Sequence, residues 1–447
     1  MGSYKIVRIR VYKYKNCFNN FLQENTTIIV FILITIFSLC QNILFYGIFI
    51  ELPVIVDRLP EGWSLPATFN LISQTAIISA SIIFLLRHLA KSNLYEDIGI
   101  ITTLVIGISA FVLLVFTWNK TTLIYNEYHS TYFLFFTFII CSCDYTGTLL
   151  FLPYIHRYKS IMIRAYFLGD AISSGSLAIL GYTQDSAVSE CILITDGNQT
   201  KAIEEISVLN YSIETYFSIL SCIILFSLIS FLILSISKIG QDKINENDET
   251  LTLIDTNNQE NQKRTRQFHL SDNAPYLFAM FWSCLITFGF LPALQTYALS
   301  SYSQDIYQKT IVSSEVVYVL VQIMCAVYSN ITVAAYPRLI HILNIIATIL
   351  VMCILIIAKM SPCPPFIDHI LIGGLVTGLI YLTANGINHF TYIILNIHFR
   401  DVAGKAGLFW GCVMVQSGTF LGASLGYILT VHFSFFKERF PCVDYIC

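Results

Sequence analysis

Long apolar stretches divide this chain from end to end, and they constrain its fold more than any other feature. The hydrocarbon core of a bilayer is about 30 Å thick, and about 20 helical residues at 1.5 Å per residue cross it. A run such as 215–236 (TYFSILSCIILFSLISFLILSI) lacks the polar face that a helix on a soluble surface needs. The chain is therefore predicted to be an all-α polytopic membrane protein.

The apolar stretches predict about eleven transmembrane helices, six in residues 28–237 and five in residues 275–433. A polar segment, 238–274, is predicted to link the two halves, because its composition cannot bury a core. Segment 1–27 precedes the first half, and tail 434–447 follows the second. The predicted spans are 28–55, 65–86, 98–117, 131–154, 161–180, 215–236, 275–299, 314–335, 339–358, 370–397 and 409–433.

The charged residues predict the orientation of these spans. Only 12% of the residues are charged, about half the fraction in soluble domains. With the N-terminus in the cytoplasm, most of the 25 Lys and Arg residues fall in inner segments, as the positive-inside rule expects. The C-terminus is then extracellular. The net charge of −3 indicates no nucleic-acid partner.

Glycosylation sequons and cysteines give further expectations for the outer side. The sequons at Asn119, Asn198 and Asn210 fall in predicted outer loops. Most of the 13 cysteines lie inside apolar spans and are predicted to be small core residues. The cysteines outside the spans on the predicted outer side are Cys191, Cys363, Cys442 and Cys447. A disulfide between Cys363 and Cys442 can tether the tail, but sequence alone leaves the pairing open.

Enzyme signatures in a suitable setting are missing from the sequence. It contains no His-Glu-x-x-His and no phosphate-binding loop, and its Gly-x-Ser-x-Gly match at 422–426 (GASLG) lies inside a predicted transmembrane span. Cys141 and Cys143 lie within an apolar span and lack the second pair of ligands that a zinc site needs. The chain is therefore predicted to be neither an enzyme nor a metalloprotein.

Several motifs resemble the eukaryotic riboflavin transporters, beginning with residues 47–66 (GIFIELPVIVDRLPEGWSLP), which are similar to the first outer loop of that family. The block Leu59-Pro60-Glu61-Gly62-Trp63-x-Leu65-Pro66 is its most specific part. Further matches follow in order along the chain: Asp144-x-Thr146, Phe151-Leu152-Pro153, Gly169-Asp170 (Gly-Glu in the family), Leu291-Pro292-x-x-Gln295-Thr296-Tyr297, Met360-Ser361-Pro362-Cys363-Pro364, and Phe399-Arg400-Asp401 with Trp410-Gly411. The likeness covers about residues 45–442.

The resemblance implies riboflavin uptake across the plasma membrane without a covalent cofactor. It implies an architecture of the major-facilitator type with one helix fewer, and a disulfide between Cys363 and Cys442. The chain also departs from the family. Asn42 and Tyr46 stand where relatives carry Trp and Asn, and segment 1–25 is unlike the family. If those two positions touch the flavin, affinity or selectivity differs from that of relatives.

We therefore hypothesise a riboflavin carrier that works by alternating access around a midplane cavity. Phe49, Phe290 and Tyr297 are candidates for stacking on the flavin ring. The candidates for hydrogen bonds to the solute are Glu51, Gln74, Asp144, Thr148, Gln295 and Asn385. Asp144, Asp170 and Glu51 are candidate proton sites. The same polar groups can instead join helices, and the sequence leaves that choice open.

Two other functions fit the same pattern of spans. One is a carrier for another flat polar solute, such as a nucleoside, since the architecture does not specify the solute. The other is a membrane receptor that transports nothing. Competition by unlabelled nucleoside would distinguish the first alternative, and the absence of any uptake would favour the second.

Overall fold

A computed structural model describes residues 26–79, 81–82, 93–155, 157–158, 161–185, 189–196, 199–206, 208–237, 270–327, 337–439, 443 and 447. Most of the predicted N-terminal segment 1–27 and linker 238–274 therefore lies outside the described residues. The helices are, in chain order, α1 (Cys40–Ile55), α2 (Leu65–Thr75), α3 (Asn93–Thr117), α4 (Thr131–Ile155), α5 (Ile161–Gln184), α6 (Ile213–Ser237), α7 (Leu270–Cys284), α8 (Leu291–Leu299), α9 (Gln304–Val327), α10 (Pro337–Met360) and α11 (Ile370–Tyr427).

The prediction of a polytopic helical membrane fold is confirmed. Within the described residues, eight helices are long and apolar enough to cross a bilayer. The first of them runs over Thr26–Arg58 and contains α1. Helices α2, α5 and α9 occupy the remaining predicted spans. The domain boundaries remain predictions.

Helix α9 begins earlier than predicted. The sequence placed the eighth span at 314–335, whereas α9 starts at Gln304. Its first turns are polar, but Gln304 and Gln308 are 8% and 3% exposed. Hydropathy scored these residues as a loop because it cannot tell a polar face buried against protein from one in water.

Two short β-hairpins lie in the connections between the helices. Strands β1 (Thr122–Ile124) and β2 (Glu127–His129) pair between α3 and α4. Strands β3 (Ser189–Asp196) and β4 (Gln199–Ile206) pair between α5 and α6, where the sequence predicted only a loop. Both hairpins lie at one end of the bundle, which we call the hairpin end. The opposite end, where α6 ends and α7 begins, is called the linker end.

The last two predicted spans belong to α11, which folds back on itself. The two membrane spans that it forms with its flanking turns, Ile367–Phe399 and Phe409–His432, are called here the first and second arms. A Cβ atom added at Gly411 would lie 3.0 Å from the ring of Phe399. Residues twelve apart in a straight helix would be about 18 Å apart, so the two arms lie side by side.

Glycine allows the second arm of α11 to pack closely against the break between α7 and α8. That break is a π-helical turn, Leu285–Phe290. A Cβ atom at Gly422 would overlap the carbonyl oxygen of Leu285, and one at Gly289 would lie 2.7 Å from the Cα of Gly422. Since lipid gives helices no hydrophobic reason to associate, such close backbone contact is a main source of their attraction.

The structure corrects the predicted disulfide. Cys363 is bonded to Cys447, with a Cα–Cα distance of 5.5 Å, and not to Cys442, which lies outside the described residues. Both candidate partners belong to the same tail, so sequence could place the tail near Cys363 without choosing between them. Ser361 Oγ also donates to the carbonyl of Lys437 at 2.6 Å, which holds the tail against this loop.

Gly422→Ala is expected to lower the thermal stability of the purified protein. The added methyl group would force α11 away from Leu285, and overpacking of this kind costs about 1–3 kcal/mol. Gly175→Ala is the matched control, because no atom lies within 4 Å of a Cβ added to that glycine. Equal melting temperatures for the two variants in detergent would contradict the close packing.

Cys447→Ser is expected to leave the thiol of Cys363 open to a membrane-impermeant maleimide. Cys442→Ser should leave Cys363 unreactive, because its partner in the structure is Cys447. Mass spectrometry of the labelled peptide under non-reducing conditions measures both variants. Labelling of Cys363 in Cys442→Ser alone would restore the original prediction.

Candidate functional site

A cavity of about 500 Å³ lies between the two halves of the bundle. It is lined by α1, α2, α4 and α5 from the first half, and by the π-helical turn, the start of α8, α9 and both arms of α11 from the second. Its volume falls within the range of about 300–1,000 Å³ that small-molecule sites occupy. Most of its lining side chains sit near the middle of their helices, which places the cavity near the centre of the membrane.

Several residues predicted from sequence do line this cavity. They are Phe49, Gln74, Asp144, Thr148, Asp170 and Asn385. Gln74 accepts a hydrogen bond from Tyr145 Oη at 3.3 Å, and Thr148 Oγ1 accepts one from Gln41 Nε2 at 2.8 Å. The structure thus brings these residues together, while their contact with a solute stays a prediction.

The other predicted site residues do not line the cavity. Glu51 is fully buried and accepts a hydrogen bond from Gln184 Nε2 at 2.9 Å. Phe290 is half-buried and faces Gly426 of the second arm. Tyr297 lies nearer the hairpin end, with its ring 5.8 Å from that of Trp63.

Gln295 lies one hydrogen bond behind the cavity wall. Its Oε1 accepts a hydrogen bond from Tyr381 Oη at 2.9 Å, and its Nε2 donates to Tyr307 Oη at 3.2 Å. Tyr381 itself lines the cavity. Gln295 can therefore orient a lining tyrosine, although it was predicted to contact the solute directly.

Aromatic side chains that were not among the predicted stacking residues form walls of the cavity. Tyr46 of α1 and Tyr318 of α9 stack across the two halves at 6.3 Å between ring centroids. His389 lies 4.9 Å from Tyr318 and 5.1 Å from Phe288. Many aromatic residues in this chain face lipid, so composition alone could not identify the ones that face the cavity.

The two departures from the family motif both fall on the cavity lining. Asn42 Nδ2 donates to Ser174 Oγ at 2.8 Å and to the carbonyl of Asp170 at 3.2 Å. Tyr46 forms the aromatic stack with Tyr318. Both residues line the cavity, so these substitutions change its wall.

Three carboxyl groups line the cavity, from Asp144, Asp170 and Glu315, and no Lys or Arg is among its described lining residues. Asp170 Oδ2 accepts a hydrogen bond from Gln322 Nε2 of the other half at 3.3 Å. Glu315 Oε2 is buried and has no hydrogen-bond partner among the described residues. Sequence reasoning missed Glu315 because the predicted eighth span began at residue 314, which put it at the membrane surface.

The cavity is closed toward the hairpin end. Here α8 is buried along its whole length, and Gln304 Nε2 of the second half donates to the carbonyl of Pro53 in the first. Phe436 of the tail covers Tyr297, with 5.2 Å between ring centroids. The exposed lining residues Thr148 and Phe167 lie nearer the linker end, which indicates that the cavity opens on that side.

Comparison with known proteins identifies the family. The model of solute carrier family 52, riboflavin transporter, matches residues 26–438 of this chain. The chain belongs to that family. Its members are membrane transporters and not enzymes, which agrees with the missing enzyme signatures.

Curated relatives match over most of their length. Riboflavin transporter member 3-A from Danio rerio is 27% identical over 427 residues, which cover 89% of this chain and 94% of the relative. The human member 3 is 24% identical over 458 residues, covering 89% of this chain and 95% of that protein. The match therefore includes both halves of the chain.

Solved structures show the same fold at low sequence identity. A D-xylose–proton symporter gives a TM-score of 0.52 at 9% identity, covering 90% of this chain and 88% of that one. A bacterial homologue of the human lysosomal transporter Spinster, in an inward-facing and occupied conformation, gives 0.50 at 10% identity, covering 93% and 82%. This likeness confirms the predicted major-facilitator-like fold and shows the fold alone.

Proposed function

We propose that this chain carries riboflavin into the cell by alternating access. The observation that carries the proposal is a cavity between the two halves, walled by aromatic rings and hydrogen-bonding groups, in a member of a riboflavin transporter family. Rings from both halves, such as Tyr46 and Tyr318, supply faces on which a flat tricyclic ring can stack.

The polar lining suits the rest of the molecule. Riboflavin is uncharged and presents carbonyls, ring nitrogens and ribityl hydroxyls, so its partners are hydrogen-bonding groups and not cations. Gln74, Thr148 and Asn385 can both donate and accept, while Asp144 and Glu315 can accept from hydroxyl groups. No Lys or Arg is among the described lining residues, which suits an uncharged solute better than an anionic one.

We further propose that the protein lies in the plasma membrane with the hairpin end outside. The N-terminus is then cytoplasmic and the C-terminus extracellular, as the basic residues predict. Asn119 and Asn210, exposed at the hairpin end, remain candidate glycosylation sites, and Asn198 lies outside the described residues. In this orientation the closed hairpin end makes the structure an inward-open state.

Cells that express this chain are expected to take up labelled riboflavin in a saturable way. Unlabelled riboflavin should block that uptake, and nucleosides should not. Competition by nucleosides would favour the alternative solute class. No uptake by protein confirmed at the cell surface would contradict the transport proposal and favour a receptor.

A matched pair of variants tests the site within the same assay. Phe49→Leu keeps an apolar side chain but removes a ring from the cavity, so the KM for riboflavin should rise about tenfold, as lost ring stacking predicts. Phe290→Leu removes a ring that does not line the cavity and should leave KM within about twofold. A larger rise in KM for Phe290→Leu than for Phe49→Leu would indicate that the solute binds elsewhere.

Proton coupling by the cavity carboxyl groups is proposed as part of this mechanism. Asp144 and Asp170 line the cavity, whereas Glu51 is buried beside Gln184. If a cavity carboxyl group must be protonated before the two halves can rearrange, a lower external pH will speed uptake, because the group is protonated more often. Uptake by the wild type should therefore rise from about pH 8 to about pH 5, and Asp144→Asn should flatten that rise. A flat profile in the wild type would exclude coupling.

A further inference from the structure

The membrane-spanning helix formed by α7 and α8 is interrupted beside the cavity. Pro292 has no backbone N–H, so it cannot donate to the carbonyl of Phe288 four residues earlier. The π-helical turn Leu285–Phe290 precedes it, and Thr287, Phe288 and Pro292 all line the cavity. Such a break inside a membrane needs a hydrogen-bond donor from elsewhere in the protein.

Asn70 of α2 supplies that donor from the opposite half. Its Nδ2 donates to the carbonyl of Phe288 at 3.0 Å and to the carbonyl of Gly289 at 2.7 Å. Asn70 is only 2% exposed, so water does not compete strongly for these bonds. Gly289 also packs closely against Gly422 of its own half.

The same asparagine also belongs to the cavity wall. Asn70 lines the cavity, and its Oδ1 accepts no hydrogen bond from the described residues. The hydroxyl of Thr287, in the turn that Asn70 holds, is buried without a partner among those residues. Asn70 thus joins the two halves and lines the cavity at the same time.

We propose that Asn70 is a positioning residue that links occupation of the cavity to closure of the hairpin end. Its amide nitrogen fastens the helix break of the second half to α2 of the first, and its side chain forms part of the cavity wall. Separation of the halves at the hairpin end must break both bonds to Phe288 and Gly289. The inference rests on the alternating access proposed above, but the bonds are independent of which solute is carried.

The test measures opening of the hairpin end directly. Val312 is fully buried on α9 and packs against Gly181 of the first half. Val312→Cys therefore places a thiol at the contact between halves. In intact cells, a membrane-impermeant maleimide should label it about ten- to a hundredfold faster when Asn70→Ala is added, because the variant loses two hydrogen bonds that each account for about three- to tenfold. The same chain without Val312→Cys gives the background.

Asn388→Ala is the matched control for the loss of a buried amide. Asn388 is fully buried on α11, bonds Ser283 within its own half and does not line the cavity. It should leave the labelling rate unchanged. The proposal would be overturned if both variants accelerated labelling equally. It would also be overturned if Asn70→Ala, present at the cell surface in normal amounts, did not accelerate labelling. If Asn70→Ala fails to reach the surface, Asn70→Ser is measured by the same criteria.

Kinetics of riboflavin uptake provide the second readout. Asn70→Ala should lower KM and the maximal rate together, because outward-open carriers accumulate while closure becomes harder. A general loss of folded protein would lower the maximal rate alone, and that result would overturn the proposal. Labelling is measured without riboflavin, so failure of the substrate proposal in the uptake assay is distinguishable from failure of this one.

Discussion

The structure depends on one constraint, which is that backbone polar groups inside a bilayer must find partners within the protein. Continuous helices satisfy it alone, but the interruption before Pro292 does not. There the carbonyls of Phe288 and Gly289 accept hydrogen bonds from Asn70 of the other half. The weakest point of one helix is thus a point where the halves are joined. Because that point lies on the cavity wall, the requirement for hydrogen bonds also shapes the site.

The helix break at Leu285–Phe290 packs closely against its own half on one side and borders the cavity on the other. On one side, Gly289 and Gly422 let two helices approach until their backbones touch. On the other, large rings such as Tyr46 and Tyr318 line the space between the halves. Small residues therefore hold the second half together as a unit, while large residues leave room for a ligand between the two units. A rigid half of this kind can move against its partner without losing its internal contacts.

Sequence predicted the helical spans well because lipid exposure imposes a strong apolar signal, and it predicted the site less well. Hydropathy misplaced the start of α9, since Gln304 and Gln308 face protein, and this error hid Glu315 in the cavity. The motif residues Gln295 and Tyr297 identified the family but not the direction of their side chains, which lie behind or beyond the cavity wall. The partner of Cys363 could likewise be identified only from the structure, because a sequence pattern does not distinguish Cys442 from Cys447 in the same short tail.

The charge pattern of the cavity has a consequence for selection among related solutes. Asp144, Asp170 and Glu315 line it, and no Lys or Arg is among its described lining residues. A solute bearing a phosphate would bring negative charge next to acidic oxygens in a region of low dielectric, where repulsion is poorly screened. A cavity lined in this way is expected to admit neutral compounds more readily than anionic ones. Adding a phosphate to a neutral compound that has crossed would prevent its return by the same route.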